Sequence, residues 1–325
     1  MTLLFFGTSE FAVPSLRQLA QSPHRILAIV TRPGRPKGRK TQRECPSPLE
    51  QLGIDLGLPI LKPEDPNHPE FLKQLKMFHA ELAVVVSYGA ILSQMLLDLF
   101  PLGAINLHAS LLPKFRGAAP IQWALIHGES ETGVTVFALD TALDHGPILS
   151  QAAYPIPNEA DAIVLSQMLA EKGAKLLLDA IDRLEAGTLN PIPQDDTKAS
   201  WAPRLCKRDG ILDWTQNAVQ LFNRIRAVQP WPGAWTALSG RLIKIDRATF
   251  DITQDDPTVS PGTIVKADPR VGLWVQTGRG QLRVDRLQPT GKKSMTASEF
   301  LCGHPIRPGY DRFHPPPSNV LGRLE

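Results

Sequence analysis

Six short apolar runs, LLFFG, RILAIV, LPIL, LAVVVSYG, GAINLHAS and TGVTVFAL, are spread through the first 190 residues, with helix-like segments between most of them. Repeated βα units of this kind imply an α/β domain, a Rossmann-like open and mostly parallel sheet covered on both faces. LAVVVSY lacks polar alternation and therefore reads as the buried central strand. Ser47-Pro48-Leu49-Glu50 marks a helix start, with a capping Ser, a Pro at the first helical position and a Glu three residues on. In 161–185, Leu165, Met168, Leu169, Leu176, Leu177, Ile181 and Leu184 fall near helical spacing. That is a long amphipathic helix closing the domain.

Beyond residue 189 the pattern changes. AGTLNPIPQDDTKASWAPRLCKRDG has little periodicity and three prolines, as a linker does. One helical segment over 218–228 then precedes the short β-rich runs WTALSG, RLIKIDRATF, PGTIVKAD, GLWVQT and QLRVDRLQ. Closely spaced strands broken by Gly and Pro suggest a small antiparallel, OB-like barrel or sandwich. The expected domains are 1–189, a linker at 190–207, and 208–325. A length of 325 residues agrees, since single cores stop growing at roughly 250 to 300.

An apolar fraction of 42% and a charged fraction of 21% exclude wholesale disorder and a collagen-like chain. Thirty prolines point to many rigid connections and proline-terminated elements. No run approaches the roughly 18 apolar residues of a spanning helix, and MTLLFFGTSEF has neither a basic n-region nor a small-residue cleavage site. A cytoplasmic protein with no membrane partner is expected, and a monomer is the default. Cys45, Cys206 and Cys302 are odd in number and far apart, so they read as unpaired thiols.

The net charge of +3 conceals an asymmetry: residues 1–190 hold 16 basic and 19 acidic side chains, giving −3, while 191–325 hold 19 and 13, giving +6. Inside the acidic half, Arg32, Arg35, Lys37, Arg39, Lys40 and Arg43 follow one another without an acid. Such concentrated charge suits a polyanionic partner, although a solvated loop would look the same.

Phosphate loops are the first chemistry an α/β domain invites. Gly7-Thr8-Ser9-Glu10-Phe11 has one glycine where a dinucleotide fingerprint needs three, and GRPKGRKT lacks Walker A spacing. Nicotinamide and nucleotide chemistry are set aside. The richest stretch is 103–149. If GAINLHAS is extended, Asn106, His108 and Ser110 share one face, at the carboxyl end of a strand where open α/β sheets place their sites. Asp144 follows within A-L-D-H-G. Taken singly, His108 reads as a hydrogen-bonded core histidine and Asp144 as a turn residue; together they read as a site. A His108, Asp144, His145 metal set is open on residue type alone, but its spacing is a weak signal.

The run N-L-H-A-S-L-L-P-K-F-R-G-A-A-P-I-Q, followed by E-T-G-V-T and A-L-D-H-G, resembles the folate-dependent formyltransferases. F-F-G-T-S-E-F-A, A-V-V-V-S-Y-G-A-I-L, W-P-G-A-W and Q-P-T-G-K-K extend the resemblance over nearly the whole chain. Departures are Ser9-Glu10 where many members show Pro-Asp, His145 in a variable place, and an altered end to the basic loop from Thr41 to Cys45. The resemblance implies formyl transfer from 10-formyltetrahydrofolate, a co-substrate, to the amino group of initiator methionyl-tRNA, with no metal. It implies Asn106, His108 and Asp144 as the catalytic set and Ser110, Leu111, Leu112 and Pro113 as the folate-binding turn. The basic loop, through Arg35, Lys37, Arg39 and Lys40, would contact tRNA together with the carboxyl half. Alternatives are a sugar-nucleotide formyltransferase, a shorter glycinamide ribonucleotide enzyme, and a non-catalytic RNA-binding module, which would leave the polar set unexplained.

Overall fold

A computed structural model describes residues 1–34 and 46–316. The chain forms two compact units. One comprises Met1–Pro120, Glu131–Pro155 and Leu165–Pro203, and the other comprises Ile121–Ser130, Ile156–Val164 and the chain from Arg204 on.

In the first unit, β1 (Thr2–Gly7), β2 (Arg25–Val30), β3 (Ile60–Leu61), β4 (Leu82–Val86), β5 (Ala104–His108), β6 (Glu131–Ala138) and β7 (Ile148–Pro155) make one sheet in the order β3-β2-β1-β4-β5-β6-β7. The first five strands pair in parallel, whereas β6 runs antiparallel to both β5 and β7. Every residue of β4 is buried, as its unbroken apolar run requires. Fully buried Leu4 and Phe6 on β1, with Ala83 and Val85 on β4, belong to a core that Phe71, Leu72 and Leu75 cover from a helix. Each such large apolar side chain contributes roughly 1.5–3 kcal/mol on burial. The strand order reverses between β1 and β4, so the crevice at the carboxyl ends of these strands is where side chains from separate loops can converge.

Helices α1 (Val13–Ala20), α2 (Pro48–Asp55), α3 (Pro69–Lys76) and α4 (Gln94–Leu97) connect these strands. The next, α5 (Pro120–Ile126), lies in the second unit from Ile121 on. Pro14, Pro48, Pro69 and Pro120 all sit in a first helical turn, which accounts for part of the proline excess: there the missing N–H costs nothing. The Ser47 hydroxyl accepts the Glu50 N–H at 3.2 Å, as expected of a cap. Glu50 does not close a capping box; its carboxylate is buried and pairs with Lys62. The long helix α6 (Ala162–Glu185) buries Leu165, Leu169, Leu177 and Ile181.

In the second unit, α7 (Ala218–Ala227) opens with a reciprocal cap between Asn217 and Gln220. Strands β8 (Ala234–Leu238), β9 (Arg241–Asp251), β10 (Ile264–Asp268), β11 (Gly272–Gln276), β12 (Gln281–Pro289) and β13 (Met295–Thr296), the helix α8 (Ala297–Gly303) and β14 (Phe313–His314) follow. The sheet order is β10-β11-β12-β9-β8-β14, with β13 beside β12, and all pairings are antiparallel. Its two ends meet, because Thr263 bridges Arg312 and the Phe313 N–H donates to the Gly262 carbonyl at 2.8 Å. The sheet thus curls into a small barrel, within which Trp214 stacks on Phe313 at 5.3 Å.

Candidate active site

Asn106 and His108 occupy the same face of β5, opposite Phe137 and Thr135 of β6. His108 is the last residue of its strand and is 7% exposed; Asn106 is only partly buried. No side-chain hydrogen bond engages the Asn106 amide among the described residues. Its donors are therefore available to a ligand.

The ring of His108 is fixed from one side. Its Nε2 lies 2.9 Å from the Phe115 carbonyl, an acceptor only, so Nε2 must carry hydrogen and donate. The other ring nitrogen, Nδ1, faces Asp144 Oδ2 at 3.8 Å. Asp144 is 8% exposed, and the Gly117 N–H donates to Oδ2 at 2.8 Å. The other carboxylate oxygen, Oδ1, has no partner among the described residues. Asp144 itself holds a φ of 49° and Phe115 a φ of 59°, a left-handed backbone that costs a side-chain-bearing residue about 1–3 kcal/mol.

Residues that the sequence did not single out hold this arrangement. Gln194 Nε2 donates to the carbonyls of Asp144 at 2.9 Å and Gly146 at 2.8 Å. Gln194 Oε1 accepts from Arg116 Nε at 3.1 Å and Nη2 at 2.8 Å. Arg116, itself buried, also pairs with Asp196 at 2.8 Å and holds the Asp196 carboxyl below its usual range. The Ser200 hydroxyl accepts the Phe115 N–H at 2.9 Å, and residues 200–202 run beside 113–119 through further backbone hydrogen bonds.

The turn at 110–113 is tied down internally. Ser110 donates its hydroxyl to the Lys114 carbonyl at 2.7 Å, Thr135 Oγ1 donates to the Ser110 carbonyl, and Gln151 Nε2 donates to the Leu112 carbonyl at 2.9 Å. Leu112 is 3% exposed and packs inward, so Leu111 and Pro113 are the residues of this turn that retain accessible apolar surface. His145 turns away from the pair: Nδ1 meets Asp140 at 2.8 Å and Nε2 meets Asp196 at 3.5 Å. The hydrogen bond to Asp140, helped by both carboxylates, raises its pKa. Tyr88, just after β4, has a buried hydroxyl with no partner among the described residues, and desolvation pushes its pKa up to about 12. Arg35, Lys37, Arg39 and Lys40 lie outside the described residues.

Two family matches account for most of the chain: Formyl transferase over residues 1–181 and Formyl transferase, C-terminal domain, over 204–305. The chain belongs to the formyl transferase family. Among relatives, the methionyl-tRNA formyltransferase of Thermodesulfovibrio yellowstonii is 43% identical over 311 residues, covering 96% of this chain and 98% of its own. That of Moorella thermoacetica is 43% identical over 309 residues, with 95% and 98% covered. Among solved structures, the N-formyltransferase of Helicobacter canadensis in complex with folinic acid and dTDP-3-aminofucose has a TM-score of 0.65 at 18% identity, covering 88% of this chain and 98% of that one. At that identity it shows the shared formyl transferase fold alone.

Proposed function

We infer that this protein transfers a formyl group from 10-formyltetrahydrofolate to the free amino group of initiator methionyl-tRNA, giving N-formylmethionyl-tRNA for translation initiation. The observation that carries this reading is the 43% identity to a methionyl-tRNA formyltransferase across 96% of the chain, both domains included. The site chemistry is consistent with it. The amine must attack the formyl carbon, one proton must leave the attacking nitrogen, and one must reach the folate nitrogen as its bond to carbon breaks.

The contacts of each group support the role assigned to it. Asn106 offers an unengaged amide N–H to the oxyanion that develops on the formyl oxygen. His108, protonated at Nδ1, stabilises the same charge and gives its proton to the leaving nitrogen. Asp144 supports the imidazolium through Oδ2, while the open Oδ1 takes the proton of the amine directly or through a water. Leu111 and Pro113 supply the apolar edge against which the folate packs, and the backbone of Ser110 and Leu112 fixes the turn.

The carboxyl half, residues 191–325 of charge +6, is assigned with Arg35, Lys37, Arg39 and Lys40 to tRNA binding. We place the reaction in the cytoplasm, with a monomer as the working unit. No helix among the described residues is long and apolar enough to cross a membrane. The test is formyl transfer measured with charged initiator tRNA, free methionine and an aminosugar nucleotide. Turnover is expected with the tRNA and not with the others. His108→Ala should lower kcat by about a hundredfold or more with folate affinity within a few-fold; near-normal turnover would remove His108 from the mechanism.

A further inference from the structure

We propose that Gln194 is a positioning residue for Asp144, acting through a closed ring of hydrogen bonds that passes through Arg116; the proposal rests on the role given to Asp144 above. Starting at the Asp144 carboxylate, the ring runs through the Gly117 N–H to the neighbouring Arg116, whose guanidinium donates twice to Gln194 Oε1. It returns from Gln194 Nε2 to the Asp144 carbonyl. The same Nε2 donates to the Gly146 carbonyl, so the backbone on both sides of His145 is held from one point.

Only a primary amide of this length satisfies the position. Two acceptor lone pairs face a guanidinium and two N–H bonds face carbonyls, so every capacity of the Gln194 side chain is used. The orientation of the amide is dictated by its partners, since carbonyls cannot donate. Asp144 needs such support because its φ of 49° is one that a side-chain-bearing residue leaves when unconstrained. A carboxylate at 194 would still pair with Arg116 but would set an oxygen against two carbonyl oxygens. The loop carrying Asp144 would shift, and its distance to His108 Nδ1 would change.

The experiment compares Gln194→Glu and Gln194→Ala, alone and combined with Asp144→Asn, in the full-length enzyme with formyl-folate and charged tRNA. Gln194→Glu should lower kcat about ten- to a hundredfold while the folate KM stays within about threefold, as a misplaced catalytic group predicts. In the Asp144→Asn background the same change should cost less than about twofold, because the group it positions is already gone. A full additional loss in that background, or single variants with kcat near wild type, would overturn the proposal. So would failure of both single variants to fold, which would make Gln194 a folding residue. If Asp144→Asn itself turned over normally, the catalytic reading of Asp144 would fail instead, and the two failures are thus distinguishable.

Discussion

Gly117→Ala tests whether the backbone donor to Asp144 is held as tightly as the geometry requires. Gly117 has a φ of 124°, and a Cβ built there stands 2.6 Å from the Ala202 carbonyl oxygen. Ordinary contact begins near 3.4 Å, so either the 200–202 segment or the Gly117 peptide must move by about 0.8 Å. The left-handed φ adds about 1–3 kcal/mol of backbone strain. Segment 200–202 is stitched to 113–119 by backbone hydrogen bonds on both sides of Arg116, so the peptide has nowhere to move without taking its N–H away from Asp144. Unfolding in urea should show a loss of about 2 kcal/mol. A displacement near 1 Å at a catalytic group costs about a hundredfold, so kcat should fall by ten- to a hundredfold with folate KM little changed. An alanine variant of wild-type stability would refute the steric argument. One that is destabilised but keeps wild-type kcat would refute the claim that this N–H positions Asp144.

Tyr88→Phe should leave the protein as stable or raise its stability by about 1 kcal/mol, since the change removes a buried hydroxyl without a partner among the described residues; a clear loss in denaturant midpoint would mean the hydroxyl is satisfied in solution. The raised pKa of His145 means its charged form gains in the folded state, so its contribution is full below the ordinary 6.5 and is lost as pH rises through the raised value. The wild type should therefore outlast His145→Gln slightly in mildly acid urea and match it in alkaline urea, and a gap that widens with pH would contradict the pairing with Asp140. Replacing Arg35, Lys37, Arg39 and Lys40 by Ala should raise the KM for tRNA and flatten the salt dependence of binding, with folate affinity unchanged. An unchanged salt slope would leave the second unit as the RNA-binding surface.

How much was legible depended on whether the signal was apolar patterning or backbone chemistry. LAVVVSYG gave β4 because a strand buried on both faces is an unbroken apolar run, and GAINLHAS gave β5 through period-two spacing. The strand β7 escaped because ILSQAAYP carries little apolar contrast: Ser150, Ala152 and Ala153 are small, and most of its alternation is between partly buried and exposed positions. Asn106 and His108 were readable as a pair two residues apart, and Asp144 by its motif. Gln194 was not. It lies fifty residues from Asp144, in a proline-rich stretch without periodicity, and its partners there are backbone carbonyls that any sequence supplies. Ser47 showed the opposite balance, since an N-cap is a local device whose partner is fixed by spacing, while the pairing of Glu50 with Lys62 had no such spacing to announce it.

That difference bears on how the site is built. Asp144, Phe115 and Gly117 all hold positive φ values, of 49°, 59° and 124°, and each contributes a group that touches the His108–Asp144 pair or supports it. Of these, the two that carry side chains, Asp144 and Phe115, cost several kcal/mol together, which the surrounding hydrogen bonds from Ser200, Gln194 and Arg116 must offset. The return is that His108 presents Nδ1 and no other nitrogen, with its tautomer set by the Phe115 carbonyl and its counter-charge by a carboxylate that is itself anchored. Polar groups fixed by the fold need little reorganisation when charge develops on a substrate, and preorganisation of this kind is the largest single source of rate acceleration in many enzymes. The unengaged groups, the Asn106 amide and Asp144 Oδ1, are then the two with something left to give: under the proposed reaction, one a hydrogen bond to an oxyanion, the other an acceptor for the proton an attacking amine must lose.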